Sequence, residues 1–303
     1  MTLLSLELSE CYCLFANRTK QYCGVSPRAS ALSETYHCLP AHETSTSLHS
    51  VRAVGRLLRK SWFWAWLDTV CQYRRSRIGP FWETVNVLVT IGGLTLVYSA
   101  IFGGNLIAHI GYIGAGIIIW SAINAIITEG CQTFLRYRTL ITTTNIDVEV
   151  YVARTVLRIF ITFAHHLVIY ILGITLRIVP LSWTSLLSLL GIALLFANGF
   201  WAVTVLAFIC ARFRDVQLIV RNLLQLAFFV TPVFWDYRQV ATDHHFIFDF
   251  NILFHFLQII REPLLGNVPS AESYLVVIAV TGVGSALAFL LRRRMQPKLA
   301  FFV

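Results

Sequence analysis

The sequence predicts an all-α integral membrane protein with six transmembrane helices, and three observations carry that expectation. Of 303 residues, 57% are hydrophobic and only 13% charged, with a mean hydropathy of +0.69; soluble domains carry about 25% charged residues. Uncharged runs reach the length of about 20 residues that a helix needs to cross hydrocarbon. Lys and Arg also gather on one set of connecting segments, the usual mark of a fixed orientation. The net charge of +9 does not point to nucleic acid, because the cations flank apolar runs, where topology and anionic lipid account for them.

Residues 1–50 are rich in Ser, Thr and Cys and lack the basic start and apolar core of a signal peptide. They are expected to be a poorly ordered cytoplasmic extension, with translation starting downstream, at Val51, if a GUG codon serves. Cys11, Cys13, Cys23, His37 and Cys38 are metal-ligand types, but their spacing fits no common zinc finger, and no metal site is expected. Residues 56–73 read as an amphipathic interfacial helix. Leu57, Leu58, Trp62, Trp66, Leu67 and Val70 recur every three or four positions against Arg56, Arg59, Lys60 and Asp68.

A basic cluster, a Gly-Pro break and an aromatic pair follow, in Tyr73-Arg74-Arg75-Ser76-Arg77-Ile78-Gly79-Pro80-Phe81-Trp82. Gly79 permits the turn out of the interfacial helix, Pro80 suits the start of the next, and Glu83 complements its dipole. Residues 84–128 carry no Asp, Glu, Lys or Arg. The Gly103-Gly104-Asn105 turn and His109 divide them into spans near 83–102 and 111–128. A third span is expected near 152–176, with Arg154 and Arg158 at its start, and a fourth near 184–209 after Val179-Pro180. A fifth near 216–235 carries Arg221, which snorkels to the interface and is expected to pair with Asp215. The sixth, near 273–291, stops at Arg292-Arg293-Arg294. Between the last two spans, Phe246 to Ile260 is apolar but holds Asp249, Asn251, His255 and Gln258. It is too short and polar to span, and reads as a re-entrant hairpin sheltered by protein. With both termini inside, only Arg177, Arg238 and Arg261 of the 24 basic residues fall outside.

Three separated stretches carry a resemblance. Tyr73 to Trp82 resembles the Y-R-x-S-x-L-G-P-L-W junction of ABC-2 type permeases, in particular the polysaccharide exporters for O-antigen, capsule and teichoic acid. Arg212-Phe213-Arg214-Asp215-Val216, then Gln225 and Thr231-Pro232-Val233-Phe234, is similar to that family's run through its fifth span. Asn251-Ile252 to Arg261-Glu262-Pro263-Leu264-Leu265-Gly266 resembles its segment before the sixth. The resemblance covers about residues 55–298, which makes 51–303 the transmembrane domain. Two departures stand out: Ile252 replaces the usual Pro, and the loop Arg138 to Glu149 lacks the common Phe-Pro.

The resemblance implies a permease subunit that moves a lipid-linked polysaccharide out across the bacterial inner membrane. It implies a homodimer of this chain and a separate ATP-binding subunit holding ATP and Mg. No GxxxxGK[ST] loop is present, nor an obvious nucleophile–base pair, so no cofactor and no catalytic residue is expected here. Tyr73, Arg74, Arg77, Gly79, Pro80 and Trp82 are the expected junction. Arg136, Tyr137, Arg138 and Asn145, in a loop helix near Glu129–Glu149, are the expected contacts with the ATPase. Tyr98, Trp120, Tyr151, Phe160, Trp201, Phe228 and Phe229 supply rings for stacking on sugars along a path. Asn251, Arg261 and Glu262 are expected to anchor the outer hairpin, and His165-His166 to hydrogen-bond between helices. Two alternatives remain open: an ABC-2 exporter of a drug or small lipid-like molecule, and a membrane glycosyl- or acyltransferase. The second would use the acidic and His residues Asp236, Asp243, His244, His245 and Asp249.

Overall fold

A computed structural model describes residues 47–74, 76–103, 106–143, 146–180, 182–239 and 246–302. The extension 1–46, Asn145 and Asp243 to His245 lie outside the described residues. The chain divides into two compact units, Met1–Ala53 and Val54–Val303; of the first, only the opening turns of one helix are described. The second is an all-helical bundle with five helices long and apolar enough to cross a membrane.

Helix α1, Ser47–Tyr73, precedes α2, Phe81–Phe102, and α3, Leu106–Arg136. A short α4, Arg138–Thr143, leads to α5, Val148–Thr175, and α6, Ser185–Arg212. Then come α7, Val216–Val230, a one-turn α8, Phe246–Asp249, and α9, Ile252–Leu264. The chain closes with α10, Ala271–Met295, and α11, Leu299–Phe302. The second expected span is longer than charge alone suggested. Nothing breaks the helix at Glu129, whose carboxylate is met by Arg158, so α3 runs on to Arg136.

The fifth expected span is shorter. α7 ends at Val230, and Thr231 turns extended at ψ 132°, because the ring of Pro232 disfavours helix at the residue before it. Its 15 residues rise about 22 Å, against roughly 30 Å of hydrocarbon.

Helix directions follow from the cross-contacts. Ser99 meets His109 at 3.1 Å, and Ser121 meets His166 at 3.1 Å while Thr133 meets Thr155 at 3.3 Å. α2 and α5 are therefore antiparallel to α3. Asn198 donates to Thr281 at 2.8 Å, and Arg212 lies over Phe302 at 5.3 Å, so α6 and α10 run parallel. The chain between those two therefore returns to the end where α6 began.

α3 is the hub, buried along most of its length by α2, α5, α6, α7 and α9. Phe134, Tyr151, Phe163 and Phe208 are fully enclosed. Close approaches at three positions need glycine, one of them at Gly284 of α10, where a Cβ would strike the Trp201 ring. At Gly191 a Cβ would sit 2.6 Å from the Ile259 carbonyl of α9, and at Gly116 it would strike the Val233 carbonyl. The contacts at Gly191 and Gly116 seat α9 and the turn after α7 directly on α6 and α3.

Candidate functional site

The basic end of the bundle is held by acids that the apolar helices can spare only in pairs. α1 turns a face of small and polar residues inward: Ser61, Ala65 and Thr69 are buried, and Ser61 donates to the Val150 carbonyl at 3.4 Å. Leu58, Trp62, Trp66, Leu67 and Val70 are exposed, so the stripe expected from the sequence points away from the bundle, as an interfacial helix requires. Asp68 accepts two hydrogen bonds from the guanidinium of Arg154 and a third from the Tyr137 hydroxyl at 2.9 Å. Arg154 is only 4% exposed, and its guanidinium lies over the rings of Trp64 and Tyr137 at 4.9 and 4.4 Å. Burial pushes the Tyr137 phenol up to about 12. Glu129 pairs with Arg158 and lies 4.0 Å from Arg136, and Glu149 pairs with Arg292 of α10.

The junction joins α1 to α2 by a local turn. Ser76 N–H donates to the Tyr73 carbonyl at 2.9 Å, and Gly79 N–H donates to the Ser76 hydroxyl at 3.1 Å. Gly79 sits at φ 64°, a conformation open mainly to glycine. Pro80 occupies the cap position, one residue ahead of the expected first helical position. Burial raises the Tyr73 phenol, and the Glu83 carboxylate adds to the shift. Arg74 and Arg77 are exposed and Trp82 is 59% exposed.

Of the loop residues, Arg136 and Arg138 present exposed side chains. Tyr137 does not: it is buried under α1, so it reaches the loop's surroundings only through Asp68. Nothing local in Arg136-Tyr137-Arg138 signals this; the burial comes from a helix far back in the chain. Asp68 with Arg154 and Glu129 with Arg158 form two ion pairs that the sequence did not connect. The available signal was scarcity, since an acid drawn into the bundle beside an apolar span calls for a cation.

The seven candidate path aromatics do not line one surface. Tyr98, Trp120 and Tyr151 are buried. Tyr151 stacks on Tyr137 at 5.5 Å, Tyr98 meets the edge of His109 at 5.0 Å, and Phe160 meets Phe196 at 5.0 Å. Trp201 donates to Asn198 at 2.6 Å. Only Trp120, Phe228 and Phe229 come together: Phe228 lies 5.5 Å from both other rings.

α7, which carries two of those three, has three distinct faces at about 100° per residue. Val220, Leu224, Ala227 and Phe228 turn toward the bundle. Ile219, Leu223, Leu226 and Val230 form an exposed apolar strip. Between them runs a flank that carries Arg221, Asn222 and Gln225, all exposed, together with the exposed Leu218 and Phe229, and that half-buried Gln217 borders. Among the described residues no ion pair joins Asp215 to Arg221, contrary to expectation; six residues apart, they lie on different faces of the helix. α2 exposes Asn86 and Thr90 on a face shared with Trp82, Val89 and Val97, with Thr90 donating to the Asn86 carbonyl at 2.9 Å.

At the opposite end, α9 is pinned at both termini. Asn251 caps it through Leu253 and Phe254 N–H and donates to Thr231 at 2.9 Å. Arg261, 0% exposed, donates to the Pro232 carbonyl at 2.7 Å and lies over Tyr112 at 4.2 Å. Burial lowers the pKa of its guanidinium. Glu262 accepts from Arg238 at 2.8 Å and Asn267 at 2.9 Å, while Tyr170 and Ser185 donate to the carbonyls of Leu264 and Pro263. His255 bridges Ser273 and the Asp249 carbonyl, and His166 bonds Ser121 across α3 and α5.

No group of three His, Cys, Asp or Glu side chains among the described residues is placed to hold a metal ion. Compared with models of known protein families the chain matches none, and compared with curated proteins it again matches none.

Proposed function

We propose that this chain is the membrane permease subunit of an ATP-driven exporter that carries a lipid-linked polysaccharide out of the cytoplasm. The observation that carries the reading is the exposure of polar side chains on the flank of α7. Gln217 and Arg221, in the first two turns, reach the interface, but the exposed Asn222 and Gln225 cannot face hydrocarbon without unmet hydrogen bonds, and inside the bundle α7 buries only Leu224 fully. Unpacked polar side chains at Asn222 and Gln225 suit a hydrated path, and Phe228, Phe229 and Trp120 beyond them supply the rings on which sugars stack. Two copies facing each other across such flanks, with Asn86 and Thr90 of α2 beside them, enclose a path that one copy leaves open.

The chain holds no nucleotide loop, so the reading places ATP and Mg on a separate subunit. That subunit is proposed to act on Arg136, Arg138, Asn145 and the exposed edge of α1. The Asp68–Arg154 pair then carries the displacement of α1 into α5, and the Gly79-Pro80 turn carries it into α2. Alternating helix directions and the gathering of cations at one end support six crossings, with α7 and the turn after it as the fifth and both termini in the cytoplasm. The outer helix α9, seated on α3 and α6, closes the far end as a re-entrant element. The bacterial inner membrane is the proposed location.

Deleting the gene and assaying both surface and cytoplasmic glycan tests the proposal. The expected outcome is loss of a surface polysaccharide with build-up of its lipid-linked form inside, restored by the wild-type chain. Complementation with Gln225→Leu is expected to restore little. An unchanged surface with raised drug sensitivity would overturn the polysaccharide reading in favour of a small lipid-like cargo.

A further inference from the structure

We propose that the basic end of the bundle carries a binding site for the phosphate headgroup of an anionic phospholipid, centred on Arg212. Because α6 and α10 run parallel, their last turns share this end, and α11 folds back against α6. The Arg212 guanidinium lies 5.2 Å from the Phe213 ring and 5.3 Å from the Phe302 ring, so aromatic faces flank it. Leu299 is buried and anchors the short helix that supplies Phe302.

The cations here outnumber the acids. Among the described residues no ion pair engages Arg212, Arg214, Arg293, Arg294 or Lys298, and all five are exposed. Glu149, the acid that reaches this end of α10, is taken by Arg292. Of the remaining acids near this end, Asp215 and Asp147 are exposed, two carboxylates against those five cations. Unpaired guanidinium groups held in a rigid fork are suited to phosphate oxygens.

Exposed rings select the lipid over a soluble anion. Phe301 is 88% exposed and Phe213 55%, next to the cations and at the rim of helices apolar enough to cross a membrane. At headgroup depth the rings enter the acyl region while the charges meet phosphates. A soluble phosphate leaves Phe301 in water.

The test uses the whole protein in mixed micelles of phosphatidylglycerol and phosphatidylcholine, with native mass spectrometry reading the retained lipid. Wild-type protein is expected to retain phosphatidylglycerol preferentially, and retention should fall with added salt. Each neutralised cation is expected to cost about fivefold in retention, so Arg212→Gln with Lys298→Gln should nearly abolish the preference. Arg59→Gln with Lys60→Gln removes the same charge from α1, and should leave the preference intact. Arg212→Lys keeps the charge and loses the ring-flanked plane, and is expected to retain less than wild type; it also serves should the double variant not fold. Equal retention of the two lipids by wild type, or equal loss from the α1 control, overturns the site. Displacement of the lipid by millimolar inorganic phosphate overturns its assignment to a lipid.

Discussion

Asp68 shows how one side chain decides the state of three elements. It is the counter-charge of Arg154, which is 4% exposed between two aromatic rings, and the acceptor for Tyr137. Asp68→Asn leaves a buried guanidinium facing a neutral amide. Breaking a buried pair from one side costs roughly 3–5 kcal/mol, and the partial exposure of Asp68 puts this case at the lower edge of that range. Tyr137→Phe removes a single hydrogen bond to a charged acceptor and is expected to cost about 1.5 kcal/mol. Thermal unfolding in detergent should therefore rank wild type above Tyr137→Phe and that above Asp68→Asn. The exchange Asp68→Arg with Arg154→Asp should recover part of the loss. Equal stability of all variants would mean that α1 is not fastened by this pair, and the proposed transmission from α1 to α5 would lose its basis.

At the scale of elements, α9 depends on the absence of a side chain. Gly191→Ala puts a methyl 2.6 Å from the Ile259 carbonyl and 2.8 Å from the Ile260 side chain, so α9 must lift off α6 at a cost of about 1–3 kcal/mol. Gly282→Ala, with nothing within 4 Å, should be neutral or gain up to about 1 kcal/mol from helix propensity. Hydrogen exchange should show Gly191→Ala loosening α9 and sparing α3; a uniform response would sink the idea of α9 as a separately seated element. Much of this architecture was legible in the sequence. The uncharged runs located α2, α3, α5, α6 and α10, and the polar residues in the apolar stretch 246–260 marked a sheltered segment, where Asn251 and His255 serve as cap and bridge. What escaped was of two kinds. The early end of α7 was visible in Thr231-Pro232 but outweighed by the apolar run around it. The ion pairs were not visible at all, because Arg154 and Asp68 are 86 positions apart and Arg158 and Glu129 are 29 apart. Spacing rules see one helix at a time, whereas these partners are set by which helices pack together. The same holds for Tyr137, polar by its neighbours and buried by its fold.

For the whole molecule, the parallel course of α6 and α10 constrains topology independently of charge. If α7 and its turn cross the bilayer, residues 213–215 and 296–298 emerge on one face and residues 266–270 on the other. If α7 does not cross, α10 has to run the opposite way to α6, and the contacts of Asn198 with Thr281 and of Arg212 with Phe302 cannot both exist. Single cysteines at Arg214, Lys298 and Val268 separate these cases when an impermeant maleimide is applied to intact cells and to opened membranes, with labelling of the unaltered chain subtracted. Arg214→Cys and Lys298→Cys are expected to behave alike, reacting only after the membrane is opened, if the basic end faces the cytoplasm as proposed. Val268→Cys, on an exposed turn, should react in intact cells. Opposite labelling of Arg214→Cys and Lys298→Cys would mean five crossings and an α7 that lies within one leaflet. Its polar side chains would then need no path, and the export proposal would lose its main support. Like labelling of those two with Val268 on the other side leaves α7 as a short crossing whose Asn222 and Gln225 must find water or a second copy within the membrane.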